Sequence, residues 1–269
     1  MSRKRIDSNK SNFQLEFNDG GKLARRRTAF SPGGAYLFED ELKAKGVLDS
    51  TVITCAAWLF ELFELKSGEI SFVRGEERIR PNTNRFGVFY PPFSITKFCF
   101  KNAEGYLKGI AANEILPGKF STVPTVFETT CLEFPTDASK VIKFLNSGDN
   151  FQSIEAYPKA SLLSVKAKKL IDENYLAYPS IARIAERLNV SHAHLSRQFK
   201  HDFGLSPSNY FRQLRVADAT FLLAKGKEII NVSQEAGYND LSRFYKQFRQ
   251  TTNTSPGACQ TIMKPNRPL

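Results

Sequence analysis

A set of polar and basic residues between Ser191 and Lys200 has the spacing of one face of a helix. The set comprises Ser191, His192, Ala193, Ser196, Arg197 and Lys200. Leu195 and Phe199 lie four positions apart and predict the opposite, buried face. Arginine can donate paired hydrogen bonds to guanine in the DNA major groove, which is the role we assign to Arg197, whereas Ser191 and Lys200 suit phosphate oxygens. The chemistry indicated is recognition of a nucleic acid.

These side chains need a short helix and a tight turn in front of the helix that carries them. Four apolar residues upstream repeat at helical spacing: Ile181, Ile184, Ala185 and Leu188. The segment 189–191 breaks that pattern, and Ser191 is a favourable N-cap for a second helix over residues 192–202. Two short helices joined in this way form the helix-turn-helix motif, whose second helix lies in a DNA major groove. A small helical bundle without this role is the alternative for the stretch taken alone.

A repeat further along the chain favours the first interpretation. The segment Phe199–Pro207 recurs 49 residues later as Phe248–Pro256, with the phenylalanine, the basic residue after it and the Ser-Pro pair in register. Asn253 replaces Gly204, and asparagine is the next-best residue for a left-handed helix C-cap. The sequence therefore predicts two helix-turn-helix units in tandem.

The second unit has its own apolar face, turn and outward residues. The apolar face upstream comprises Ile229, Ile230, Val232 and Ala236. After a turn at Gly237-Tyr238, residues 241–250 predict a helix with Phe244 and Phe248 buried. Four residues are then predicted to face DNA: Asn239, Ser242, Arg243 and Lys246.

A long helix is predicted between the two units. Ser206 is its N-cap and Pro207 its first residue. Its apolar face comprises Tyr210, Phe211, Leu214, Ala217, Phe221 and Leu222. The helix continues to Ala224, and about 18 residues correspond to roughly 27 Å. It can set two recognition helices near one duplex turn apart, about 34 Å, which suits successive major grooves on one face of DNA.

The excess of basic residues coincides with these units. Residues 161–269 contain 16 Lys+Arg against 8 Asp+Glu, whereas residues 1–160 contain 22 against 19. Neutralisation of phosphates requires such a concentration of cations. A basic surface that is merely solvated is the alternative.

Residues 164–260 resemble the AraC/XylS transcription regulators. The likeness is carried by Ile184-Ala185, Leu195-Ser196-Arg197, Phe199-Lys200, Gly204-Leu205-Ser206-Pro207, Tyr210, Arg215, Ala219, Leu222-Leu223, Ala236-Gly237-Tyr238, Phe244, Phe248-Arg249 and Ser255-Pro256. Three positions depart from the family pattern. Ser233 stands where the family usually has alanine, and Asn253 stands where it usually has glycine. Residues 257–259 stand where an aromatic residue often follows the proline. The resemblance implies a sequence-specific regulator, an activator in particular, with double-stranded promoter DNA and RNA polymerase as partners.

Residues 13–134 carry strand-like segments separated by Gly and Pro, which predicts a sandwich or barrel. The segments are FQLEF, TVITCAAWLFELFEL, EISFV, RFGVFY, ITKFCF, YLKGIAA and TVFETTCLEF. Ser67-Gly68 is predicted as a hairpin turn. Residues 63–112, and Gly87–Pro92 especially, resemble the cupin-type barrel of the family's N-terminal domain. The expected fold class is therefore α+β multidomain, with an N-terminal cupin-like β-barrel and a C-terminal all-α domain of two helix-turn-helix units joined by a long helix.

We divide the chain into four parts. Residues 1–12 are expected to be a disordered tail, 13–147 an effector or dimerisation domain, 148–160 a linker and 161–269 the DNA-binding domain. Residues 137–146 predict a short capped helix. In the family a helix near this point often joins two subunits, so a homodimer is one expected arrangement.

Enzymatic, metal and membrane functions are not expected. The three histidines, His192, His194 and His201, all lie in the first unit, and Thr96 falls near the position of a cupin histidine. The scattered cysteines are interpreted as buried thiols: Cys55, Cys99, Cys131 and Cys259. No nucleophile-elbow, Walker or dinucleotide-binding pattern is present in the sequence. We expect no cofactor, no metal and a cytoplasmic protein, because the sequence has neither an apolar signal core nor a long apolar run.

The role of the N-terminal domain is left with two interpretations. It can offer a pocket to a small-molecule effector, such as an apolar carboxylate, or a surface to a regulatory protein or a second copy. Eight phenylalanines between Phe60 and Phe100 suit an apolar effector, although each can simply fill the core. Two alternatives for the whole chain are a DNA-binding protein with an enzymatic or repair domain, which needs clustered cysteines, and an unregulated architectural DNA binder.

Overall fold

The computed structural model describes residues 15–18, 23–30, 36–113, 123–128, 134–135, 137–147, 152–177, 180–252 and 254–263. These residues form an N-terminal antiparallel sheet and a C-terminal helical domain. The predicted tail 1–12, Cys131 and Asn253 lie outside them. Over the described ranges, no helix combines the length and the apolar character that crossing a membrane requires.

The sheet has ten strands among the described residues. They are β1 (Leu15–Asn18), β2 (Leu23–Phe30), β3 (Tyr36–Ala44), β4 (Val47–Ile53), β5 (Trp58–Arg74), β6 (Glu77–Ile79), β7 (Arg85–Tyr90), β8 (Ile95–Ala112), β9 (Thr125–Glu128) and β10 (Gln152–Glu155). Their order is β1-β2-β3-β8-β5-β7-β9-β10, with β4 also paired to β8 and β6 to β5. Since β1 and β10 end this path and are not paired with each other, the described strands do not close into the expected barrel.

The predicted hairpin at Ser67-Gly68 is wrong. β5 runs through these residues, and its register with β8 shifts on both sides of Ser67. Gly68 has φ +75°, and a Cβ at this position would collide with the backbone of Asn102. Glycine therefore permits a bulge and a close approach of β8 here, so that two predicted short strands form one long strand.

Side chains of β5 alternate between two covered faces of the sheet. Trp58, Phe60 and Leu62 lie in the core under helix α1 (Ala138–Ser147), whereas Phe63 belongs to the core on the other face. This double burial explains the nearly continuous apolar sequence. Seven of the eight phenylalanines are no more than 2% exposed and therefore fill the core: Phe60, Phe63, Phe72, Phe86, Phe89, Phe98 and Phe100.

The predicted short helix is confirmed as α1. Asp137 accepts a hydrogen bond from the amide of Lys140 (3.0 Å) and caps the first turn. Val141 and Leu145 are buried against the sheet, whereas Lys140 and Lys143 are exposed. Because its apolar face already covers its own sheet, α1 offers a polar surface to any second subunit.

The predicted linker, residues 148–160, contains a strand. β10 pairs with β9, and the Ala156 amide donates to the carbonyl of Pro124 (2.7 Å). A bridge between Gly75 and Pro158 follows. The chain therefore stays attached to the sheet until shortly before the helical domain begins.

The helical domain contains seven helices within the described residues, and α5 packs against helices of both units. They are α2 (Leu162–Asn174), α3 (Ile181–Arg187), α4 (His192–Phe203), α5 (Pro207–Ala224), α6 (Ile229–Glu235), α7 (Leu241–Thr252) and α8 (Pro256–Met263), with a 3-10 turn at Tyr175–Ala177. As predicted, Ser206 caps α5 by accepting a hydrogen bond from the Asn209 amide (3.2 Å). Tyr210 and Leu214, early in α5, share a core with the first unit, and Ala219 and Leu223, late in α5, share one with the second.

Candidate nucleic-acid interface

The turn of the first helix-turn-helix unit, α3 and α4, has the geometry that the sequence predicts. Asn189 adopts φ +55°, a left-handed conformation that asparagine tolerates, and its amide donates to the carbonyl of Glu186 (2.9 Å). The Ser191 hydroxyl then accepts a hydrogen bond from the His194 amide (3.1 Å). This N-cap fixes the start of α4 and thereby the direction of its side chains.

The outward face of α4 brings the predicted residues of the first unit together. Leu195 and Phe199 are completely buried, which sets the opposite side of the helix toward solvent. The exposed residues on or before that side are Ser191, His192, Ala193, Arg197 and Lys200, and Ser196 is half-buried. Their contact with DNA remains a prediction.

The second unit, α6 and α7, presents a similar surface. Phe244 and Phe248 are completely buried. Asn239, Ser242, Arg243 and Lys246 are all exposed. Asp240 accepts a hydrogen bond from the Ser242 amide (2.9 Å) at the start of α7.

The predicted apolar face of α6 needs one correction. Ile230 is 58% exposed, whereas Ser233 is buried with Val232 and Ala236. The Ser233 hydroxyl donates to the Ile230 carbonyl (2.8 Å), so this polar group is satisfied inside its own helix. A serine therefore replaces an apolar residue in the core because its hydrogen bond is local.

A buried arginine connects α5 to the turn of the second unit. Arg215 is 1% exposed, and its Nε donates to the carbonyl of Ala236. Its guanidinium lies 3.8 Å from the ring centroid of Tyr238. Gly237, with φ +75°, leaves the space that this guanidinium occupies. Arg215 is among the residues that carry the family resemblance, but its residue type does not indicate burial, since arginine is rarely buried.

A second network joins α4 to α2. The Asp202 carboxylate accepts hydrogen bonds from the Ser161 amide (3.0 Å), the Ser161 hydroxyl (2.7 Å) and Gln198 Nε2 (3.0 Å), and His201 Nδ1 lies 3.0 Å away. Burial opposes the charge of Asp202, but the hydrogen bonds from His201 and Ser161 hold its pKa below the ordinary value. His201 thus takes part in a structural network, and the described residues contain no cluster of His, Cys, Asp or Glu that could hold a metal ion.

The sheet packs directly on the first unit. Ile95 of β8 belongs to the same core as Leu195 and Phe199. Lys168 of α2 donates from Nζ to the carbonyl of Phe93 (2.5 Å), and the Phe93 ring meets Tyr175 edge-on at 5.7 Å. The described parts of the two domains therefore share apolar contacts and hydrogen bonds.

Two of the cavities among the described residues lie beside α5 and bear on function. One, of about 590 Å³, lies between the two helix-turn-helix units and is lined by residues of α3, α4, α5 and α7, including His192 and Arg243. The other, of about 310 Å³, lies between the sheet and α5. Its walls include Val52, Ala57, Val216, Phe221 and the buried carboxyl of Glu61, which accepts a hydrogen bond from Tyr90 Oη (2.8 Å).

Comparisons with known proteins find similarity in the helical domain. The model of the helix-turn-helix domain family matches residues 184–261, which confirms the resemblance for this part of the chain. The lactose operon transcription activator of Staphylococcus xylosus is 31% identical over 83 residues, 30% of this chain and 30% of that protein. The transcriptional activator RhaS of Escherichia coli (strain SE11) is 32% identical over 74 residues, 27% of each chain. The C-terminal domain of AraT, a response regulator from Geobacillus stearothermophilus, is 25% identical with a TM-score of 0.36, covering 38% of this chain and 86% of its own. The match to this chain thus spans less than a third of the length of the lactose operon activator and of RhaS.

Proposed function

We propose that this chain is a sequence-specific transcription regulator of the AraC/XylS type, which binds promoter DNA through its helical domain and is controlled through its sheet domain. The observation that carries the proposal is the placement of two helix-turn-helix units on one helix, each with its polar and basic residues exposed. We propose that it acts in the cytoplasm as an activator, with RNA polymerase as a partner.

Control by the sheet domain is supported by the contacts that Ile95 and Phe93 make with the first unit. The cavity between the sheet and α5 is the site we propose for a small-molecule effector. Its walls favour an apolar ligand, and the buried carboxyl of Glu61 adds one polar group to them. The cupin-like fold of residues 13–147 and a homodimer are also part of the proposal.

The test is selection of binding sites by the full-length protein from a random pool of duplexes at several salt concentrations. We expect enrichment of a sequence with two half-sites about one duplex turn, 10–10.5 base pairs, apart. We also expect affinity to fall steeply as salt rises, because each phosphate contact releases counterions. Equal binding to random and selected DNA would favour the architectural alternative, and absence of salt-dependent binding would reject the proposal.

A further inference from the structure

We infer that the cleft between the two helix-turn-helix units is a binding site for a phosphodiester of the DNA backbone, with Arg212 and Ser208 as its principal ligands. The inference rests on the proposed DNA-binding function and adds to it a contact that lies outside both recognition helices, α4 and α7. A phosphate bound there would be recognised irrespective of base sequence.

The lining of the cleft places it between the two recognition helices. His192, at the start of α4, and Arg243, in the first turn of α7, both line the cavity of about 590 Å³. Ser208 and Arg212 line it from α5, four residues apart and therefore on one side of that helix. One surface thus connects the exposed sides of both units.

The charge of the cleft suits an anion. Its described polar lining consists of Ser180, His192, Ser208, Arg212, Arg243 and Gln247, without a carboxylate. Arg212 is half-buried, and no other described residue forms a hydrogen bond or ion pair with its guanidinium. A guanidinium offers five donors in a planar fork that matches a phosphate, and partial burial reduces the screening of its charge by salt.

The position also matches the shape of the duplex. Two recognition helices in successive major grooves leave a minor groove with its two flanking backbones between them. The group that faces a cleft between the helices is then the sugar-phosphate backbone. Ser208 lies in the first turn of the 18-residue helix α5, where the backbone amides have no partner within the helix.

The experiment compares Arg212→Gln with Arg80→Gln in the full-length protein. Arg80 is an exposed arginine of the sheet region, paired with Glu69 at 2.9 Å, so both variants lose the same charge. Each protein is titrated with a selected site and with an unrelated duplex between 0.1 and 0.3 M salt, where the Debye length shortens from about 10 Å. We expect Arg212→Gln to weaken binding to both duplexes alike by about fivefold to tenfold and to reduce the slope of log K against log salt by about 1. Arg80→Gln should leave both quantities unchanged.

Two further arms keep the result interpretable. Ser208→Asp places a negative charge in the cleft, but acidic residues in the first turn favour a helix, so weaker binding by this variant would not reflect unfolding. A duplex with neutral methylphosphonates between the half-sites should bind wild type and Arg212→Gln equally. If Arg212→Gln and Ser208→Asp both bind DNA as tightly as the wild type, the inference is wrong and the proposed function still stands. Absence of salt-dependent DNA binding by the wild type would overturn both.

Discussion

The Nζ atom of Lys97 in β8 lies 2.8 Å from the carbonyl oxygen of Asp202, in the last turn of α4. A cation from the sheet thus satisfies a carbonyl at the C-terminus of the first recognition helix, where the helix dipole favours positive charge. Burial lowers the pKa of Lys97, against the effect of Asp202. The two domains are therefore coupled at an element that is proposed to contact DNA.

Lys97→Met removes this hydrogen bond but keeps most of the aliphatic stem. We expect the free energy of unfolding to fall by about 1.5–3 kcal/mol, the usual net value of a hydrogen bond that involves a charged group. Urea unfolding of the full-length protein measures it. The control is Lys101→Met, an exposed residue of the same strand 3.8 Å from Glu69, for which a change below about 0.5 kcal/mol is expected. Equal losses in the two variants would contradict the coupling.

The isolated segment 161–269 should fold and bind DNA, since both units and most of the net charge lie in it. It lacks Ile95 and Phe93, which pack on the core of the first unit. We therefore expect amide hydrogen exchange in α4 to be faster in the segment than in the full-length protein. A folded segment that does not bind any duplex at low salt would disprove the first part.

Arg197→Ala should weaken binding to the selected site by roughly 1–3 kcal/mol and relax preference at one or two base pairs, because Arg197 is expected to contact a guanine edge. Lys200→Ala is the matched comparison on the same helix. It should weaken all sequences alike, as expected for a phosphate contact. An unchanged footprint and affinity for Arg197→Ala would exclude the role.

In the second unit, we expect Arg243 and Lys246 to contribute less to sequence preference than Arg197, since this unit departs more from the family pattern. The double variant Arg243→Ala/Lys246→Ala should lose affinity with little change in the selected sequence. Repeating the site selection with each variant measures the preference. A larger change of preference for the double variant than for Arg197→Ala would reverse the order.

Asp218 of α5 should make stability depend on pH. Burial, with the charge of Glu235 adding to it, raises its pKa to about 6, although Lys227 acts in the opposite direction. In the unfolded chain the pKa is about 3.9. Between these values the folded protein binds the extra proton, so this residue lowers the free energy of unfolding as pH rises from about 4 to 6.

Asp218→Asn removes that titration. Relative to wild type, the variant should gain stability as the pH is raised from 4 to 7, measured by urea unfolding at several pH values. Asp49→Asn, at an exposed aspartate of β4 that pairs with Arg78 at 3.1 Å, is the control for the loss of one carboxylate. A pH-independent difference for Asp218→Asn would show that its charge is not disfavoured in the folded state.

The sequence was sufficient where the structure depends on local pattern. The four-residue spacing of Leu195 and Phe199 and the cap at Ser191 define α4 because both signals act within a few residues. The contact between Lys168 and Phe93 joins residues 75 positions apart, and no local signal indicates it. The turn predicted at Gly68 is wrong because a positive φ serves a bulge as well as a turn.

The length of α5 has a consequence for the DNA rather than for the protein. Both units pack on opposite halves of one uninterrupted helix of 18 residues, so their separation cannot adjust. One base pair inserted between the half-sites rotates the second by about 34–36° around the duplex axis. A full inserted turn restores the angle but moves the half-site by a further 34 Å or so, beyond the reach of α7. The rotational phase of the two half-sites is thus specified by α5, a protein helix for which no contact with the bases of either half-site is proposed.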